Sequence, residues 1–254
     1  AGCSLSPGMH FSSDSNVFED QDYVYIESLE KNIYINNISS NNSDINKLRY
    51  DDSYKIGIGD QIAITVWGLP EIFPVTNINP DQNLRRVDSN GDIFFPYAGN
   101  VKALGKSQNE LRDDLTELLS ESFTKPQLDV SIARFNSQQV YLLGEITRPL
   151  KINLTDVPLS LADAIGQANG LNTSTSDGAN VFVIRQSSKD NEPAIFRANL
   201  NSPAGFLDAG KFYLLDGDIV YANAKGTTRW NRVISQFFPF SSFLNSIDNL
   251  TNND

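Results

Sequence analysis

Residues 54–71, YKIGIGDQIAITVWGLPE, and residues 87–101, VDSNGDIFFPYAGNV, decide how this chain is read. In the first stretch Ile62, Ile64 and Val66 alternate with Ala63, Thr65 and Trp67, the period of two expected of a strand with one face on a core. In the second, Asn90-Gly91 offers two residues that tolerate positive φ, which is a hairpin-turn signal. It precedes a second strand at 93–97, where Pro96 favours an edge or a bend. Further on, Ser107 and Glu110 stand at capping-box spacing. Leu111, Leu115, Leu118 and Leu119 then share one helical face. Pro126 is placed to end that helix, and Leu128, Val130 and Ile132 alternate as a third strand. Residues 51–135 therefore predict a small sheet with a helix packed on it.

A second module follows at 136–226. Residues 137–145 read as a strand ending in a turn. Ser160 can cap a short helix carrying Leu161, Ala164, Ile165 and Ala168, with Gly170 placed to stop it as the C′ residue. Strands are expected at 181–184 and 194–196, and Asp216-Gly217-Asp218 makes a turn before another at 219–221. One helix among short strands predicts an α+β grasp. A length of 254 residues suits two such modules plus extensions. Upstream, residues 4–50 are rich in Ser, Asn and Asp, and 36–46 is nearly all polar, a linker composition. Residues 23–26 and 33–35 are short candidate strands, without a fold of their own.

Composition excludes several function classes. A net charge of −11 argues against nucleic acid, whose phosphates need a basic stripe. The single cysteine, Cys3, rules out an intrachain disulfide. With one histidine, His10, the chain cannot assemble a zinc site from His and Cys alone, nor place a Ser-His-Asp relay on a rigid element. Carboxylates are plentiful, but no spacing singles out a glycosidase-like pair. No phosphate-binding glycine-lysine motif is present. Neither metal nor cofactor is expected. No run of eighteen apolar residues exists to make a conventional spanning helix.

The C-terminal stretch, 227–254, has a different pattern. Thr228 can cap a helix over 229–250, which at 1.5 Å per residue reaches ~33 Å, close to the ~30 Å hydrocarbon core. Its apolar positions are Trp230, Val233, Ile234, Phe237, Phe238, Phe240, Phe243, Leu244, Ile247 and Leu250. Asn231, Ser235, Ser242, Asn245 and Ser246 are candidates for a wet lumen. One such helix alone would be costly in lipid. A ring of copies resolves this, with apolar faces on lipid and polar faces on water, every backbone bond staying within its helix. Trp230 suits the interfacial belt. Pro239 divides the pattern, and the apolar faces on its two sides differ by roughly 80–100°. A kink or a second segment is expected there. The competing reading is an amphipathic helix packed on a partner or lying on a membrane surface.

Residues 54–71 and 87–101 resemble the two signatures of the Wza-type outer-membrane polysaccharide export family, and the spacing to the capped helix and to residues 126–130 fits it as well. Residues 136–226 resemble an SLBB domain, a β-grasp module, departing from it at Leu150, where glycine usually follows the proline. Only one SLBB domain fits, so the chain resembles a short family member. Ala1-Gly2-Cys3 resembles the end of a bacterial lipoprotein signal, which implies a lipidated Cys3 on a segment, 1–50, that tethers the folded modules. The resemblance further implies a non-enzymatic subunit of an outer-membrane channel that exports capsular or exopolysaccharide. Its bulk would lie in the periplasm and its C-terminus outside the cell. The C-terminal helices would form an α-helical barrel in a homo-oligomeric ring, octameric in the best-known assembly. An inner-membrane polysaccharide co-polymerase, often a tyrosine kinase, would dock beneath it. The alternative is a periplasmic adaptor or glycan-binding lipoprotein that does not span the membrane.

Overall fold

The computed structural model describes residues 22–26, 31–38, 54–73, 84–186 and 193–225. The two N-terminal apolar patches are strands, β1 (Asp22–Ile26) and β2 (Lys31–Asn37), paired antiparallel. The alternation at 62–66 is realised in β3 (Gln61–Trp67), which buries Ile62, Ile64 and Val66. β3 lies between β4 (Leu84–Arg86) and β7 (Gln127–Arg134), antiparallel to both. A separate hairpin joins β5 (Asp92–Phe95) to β6 (Gly99–Lys102).

The hairpin therefore forms one turn later than the Asn90-Gly91 signal indicated. Residues 88–91 do turn, with the Gly91 amide donating to the Asp88 carbonyl at 3.0 Å. The Asp88 carboxylate accepts from the amides of Asn90 and Asp92, both at 2.9 Å. Yet the flanking strands have different partners, because β4 adds to β3 while β5 pairs with β6. Pro96 begins the true hairpin turn, closed by the Ala98 amide on the Phe95 carbonyl.

Helix α1 (Gln108–Ser120) has its full capping box and buries Leu111, Leu115 and Leu119. Leu118 is partly buried on the same core. The helix stops at Ser120, well before Pro126, whose place is instead just ahead of β7. The core of this module gathers Ile56, Ile62, Val87, Ile93, Phe95 and the three leucines.

The second module is a mixed seven-stranded sheet. It adds β8 (Gln139–Gly144), β9 (Leu150–Asn153), β10 (Ser176–Gln186), β11 (Pro193–Ala198) and β12 (Ile219–Ala224), in the order β1-β2-β11-β10-β12-β8-β9. The N-terminal hairpin thus belongs to this sheet, β2 running parallel to β11 with Ile35 beside Ile195. Gly144 is required at the end of β8: its φ is +83°, and a Cβ there would sit 2.3 Å from the Ala222 carbonyl oxygen of β12.

Helix α2 (Leu161–Gln167) starts at Ser160 with a capping box and buries Leu161, Ala164 and Ile165. Its stop differs by one residue from the expectation. Ala168 is the C-cap, so Asn169, at φ 62°, is the C′ residue and Gly170 follows it. The Asn169 amide reaches the Gly166 carbonyl and the Gly170 amide reaches that of Ile165, the Schellman pattern. A second helix, α3 (Pro203–Ala209), was not expected. Its start is local and legible, with Ser202 capping the Gly205 amide and proline at the first position. Only seven residues long and burying just Ala209, it lacks an apolar stripe that would announce it. The module remains α+β, with two helices rather than one.

Candidate functional site

Among the described residues the most highly connected polar group is the Asp60 carboxylate, fully buried where the two modules meet. Gly57-Ile58-Gly59 turns the chain before β3, and the Gly57 amide donates to Asp60 Oδ2 at 2.9 Å. The amides of Asn136 and Ser137, on the segment leading into the second module, donate to Oδ1 at 2.8 and 2.9 Å. The hydroxyls of Tyr54 and Ser137 complete the set on Oδ2, at 2.9 and 3.0 Å. Five donors on one buried carboxylate fill its roughly four lone-pair sites, which is the condition for burying such a charge cheaply. Gly57 is small for a reason, since a Cβ there would collide with the Ser137 side chain at 2.3 Å.

Tyr54 is buried against Phe135, ring to edge at 4.8 Å, and its hydroxyl oxygen lies 2.8 Å from that of Ser137, both hydroxyl protons being directed at Asp60. Burial pushes its phenol well above the usual range, and the neighbouring Asp60 charge adds to this. Around this knot Gln138 donates to the Lys55 carbonyl, Asn153 to the Phe135 carbonyl, and the Gln139 amide to Asp216. The junction is thus a continuous hydrogen-bonded seam.

A related turn sits inside the second module. Asp218 is fully buried and accepts two hydrogen bonds from Arg185, at 2.9 and 2.6 Å, and a third from the Leu215 amide. Burial raises the Asp218 carboxyl above the ordinary carboxylate range, against the pull of Arg185 and that amide. Arg185 lies over the rings of Phe196 and Phe212, so its guanidinium is stacked as well as paired. In both Gly59-Asp60 and Gly217-Asp218 the aspartate caps the tight turn that launches a strand.

The third feature is an aromatic cluster on the first module. Phe73 stacks on buried Phe95 at 5.6 Å and meets Tyr97 and Phe123 edge-on, each at 5.8 Å. Tyr97 and Phe123 are themselves edge to face at 5.1 Å. The Arg85 guanidinium lies 5.8 Å from the Phe95 ring centre. Tyr97 has φ 66° and sits third in the Pro96 turn, a place that suits glycine. Holding tyrosine there costs about 1 kcal/mol or more, although its side chain stays 61% exposed.

The residues singled out from sequence lie elsewhere. Cys3, the apolar series from Trp230 to Leu250, and Asn231, Ser235, Ser242, Asn245 and Ser246 all fall outside the described residues, as does His10. Among the described residues no helix is long and apolar enough to cross a membrane, and no group of three or more His, Cys, Asp or Glu is placed to hold a metal ion. Asp60, Tyr54 and Tyr97 lie within the two signature stretches, where no local pattern marks them as functional. The Gly-Asp pair ahead of each of two strands was the available signal for the capped turns.

Two family models match the chain in tandem. One, described as polysaccharide biosynthesis/export protein, covers residues 49–133, and the other, described as SLBB domain, covers 138–222. The chain belongs to the outer-membrane polysaccharide export family, with one export domain and one SLBB domain. It is 24% identical to the EPS I polysaccharide export outer membrane protein EpsA of Ralstonia solanacearum over 344 residues, covering 94% of this chain and 91% of that relative. The protein of the same name from Ralstonia nicotianae is 34% identical over 183 residues, 66% of this chain and 46% of the relative. The capsule polysaccharide export protein BexD of Haemophilus influenzae is 28% identical over 159 residues, 57% of this chain and 40% of the relative. Against these last two, the matched part spans less than half of the relative's length.

Proposed function

We propose that this chain is a subunit of an outer-membrane channel that passes capsular or extracellular polysaccharide from the periplasm to the cell surface. The observation that carries the reading is the unbroken order of an export domain and an SLBB domain, together with relatives named for outer-membrane polysaccharide export. In this reading Cys3 is lipidated and holds the folded modules beneath the membrane, since several acyl chains anchor stably at about 0.8 kcal/mol per buried CH₂. Residues 229–250 of each copy supply one helix to a closed ring, eight-fold by family resemblance. Trp230, Val233, Ile234, Phe237 and Phe238 with their apolar successors face lipid, and Asn231, Ser235, Ser242, Asn245 and Ser246 face the lumen. The chain itself performs no chemistry. A co-polymerase in the inner membrane delivers the polymer from below.

An epitope tag placed after Asp254 tests the topology. Labelling of the tag on intact cells is the expected result. Complete protection, with labelling only after outer-membrane permeabilisation, would assign the chain to the periplasmic-adaptor reading.

A further inference from the structure

We infer that the aromatic cluster of Phe73, Tyr97 and Phe123 on the export domain is a stacking site for pyranose rings of the polymer in transit. The inference deepens the export reading and rests on it. Stacking on a sugar needs a π-face presented to solvent and held rigid from behind, because the polarised C–H groups on the flat face of a pyranose are drawn to the ring's negative face. The cluster has that construction. Phe95 is buried at 3% exposure and stacks under Phe73, Phe73 and Phe123 are half-buried, and Tyr97 stands outermost, braced edge-on by both.

Backbone strain converges on the same place. The described residues include three non-glycine positions with positive φ, and two of them are Tyr97, at 66°, and Lys125, two residues from Phe123, at 51°. Strain that persists at a mostly exposed side chain is not repaid by burial of that side chain, so it points to use of the side chain at the surface. The Tyr97 turn is where glycine would fit best, yet an aromatic ring is kept there. Close in sequence to Tyr97 and Phe123, Asn100, Ser122, Thr124 and Lys125 are exposed polar residues, and Tyr97 itself carries a phenol. An exposed aromatic group whose sequence neighbours supply hydroxyl, amide and ammonium groups matches an extended glycan, which presents alternating C–H faces and hydroxyls. An aliphatic protein ligand would not require exposed rings with polar residues beside them.

The test uses the full-length protein in detergent and size-fractionated oligosaccharides from partial acid hydrolysis of the producing strain's extracellular polysaccharide. Binding is followed by saturation-transfer NMR. Three variants are compared with the parent: Tyr97→Phe, which keeps the ring, and Tyr97→Gly and Tyr97→Asn, which remove it with residues that tolerate positive φ. The expected result is binding by the parent, affinity within about twofold for Tyr97→Phe, and a loss of about tenfold or more for both ring-free variants. Urea midpoints for the ring-free variants should equal or exceed the parent's, which a purely structural role for Tyr97 would reverse. Absence of oligosaccharide binding by the parent, or parent-like binding by Tyr97→Asn, would overturn the assignment. Loss of ring assembly in the ring-free variants without oligosaccharide binding by the parent would transfer the patch to a protein contact and equally overturn it. Export by cells lacking the whole chain is a separate readout: if it is undiminished the channel reading fails, whatever the oligosaccharides do.

Discussion

At the scale of single residues, Asp60 governs more than any other side chain described. Its carboxylate is buried and takes five hydrogen bonds, two from its own side, the Gly57 amide and the Tyr54 hydroxyl, and three from a segment 76 and 77 residues away in sequence, the amides of Asn136 and Ser137 and the Ser137 hydroxyl. Every one of those partners is a donor or is acting as one. Replacing Asp60 by asparagine turns one acceptor oxygen into an NH₂ group facing N–H and O–H groups, so at least two buried donors lose their partner. Asp60→Asn is expected to lower unfolding free energy by about 3 kcal/mol. Urea denaturation measures this, and limited proteolysis should show new cleavage near residues 134–139, where the seam opens. An unchanged midpoint would mean that the junction does not depend on this carboxylate.

At the scale of elements, α1 owes its start to a capping box whose charge can be titrated. Glu110 donates nothing and accepts twice, from the Ser107 amide at 2.6 Å and from Lys55 at 3.1 Å. The Ser107 amide chiefly, then Lys55, draws its carboxyl down from 4.5 to about 2. A carboxyl lowered on folding stabilises the folded state above its unfolded pKa and loses that contribution as pH falls through the folded one. Glu110→Gln keeps the neutral cap but not the charge. The gap in melting temperature between parent and variant should therefore be constant above about pH 5 and close as pH falls from 4.5 towards 2. A gap that persists at pH 2 would show that the side chain works through shape and not through charge. The pair with Lys55 is exposed on both sides, so the amide bond at the cap is the larger part of the effect.

At the scale of the whole molecule, the two modules have separate hydrophobic cores, while the proposed membrane helix lies beyond both. Deleting residues 229–254 is expected to leave the melting temperature of the folded part within a few degrees and to abolish export. Circular dichroism melting and surface polysaccharide on intact cells check the two halves of that outcome. Loss of both together would place the tail within the fold instead of in a membrane pore. A half-polar helix reaches an acceptable free energy in lipid only when sister helices enclose its polar side.

Features under the control of a few neighbouring residues are legible in the sequence. The alternation of Ile62, Ile64 and Val66, the leucine face of α1 and the caps at Ser107 and Ser160 follow from periods of two and 3.6 and from local hydrogen bonds, and all are present in the structure. Tertiary structure alone decided the rest. The Asn90-Gly91 turn formed, but strand partners set by the wider sheet moved the hairpin to Pro96. The strands at 22–26 and 31–37 have too little apolar surface to be stable alone, and they are ordered by joining β11, so their place was fixed by a partner about 160 residues later. The same holds for Asp60 with Ser137 and for Arg185 with Asp218. A buried charge is tolerable only where distant donors converge on it, and convergence over such separations is a property of the folded chain.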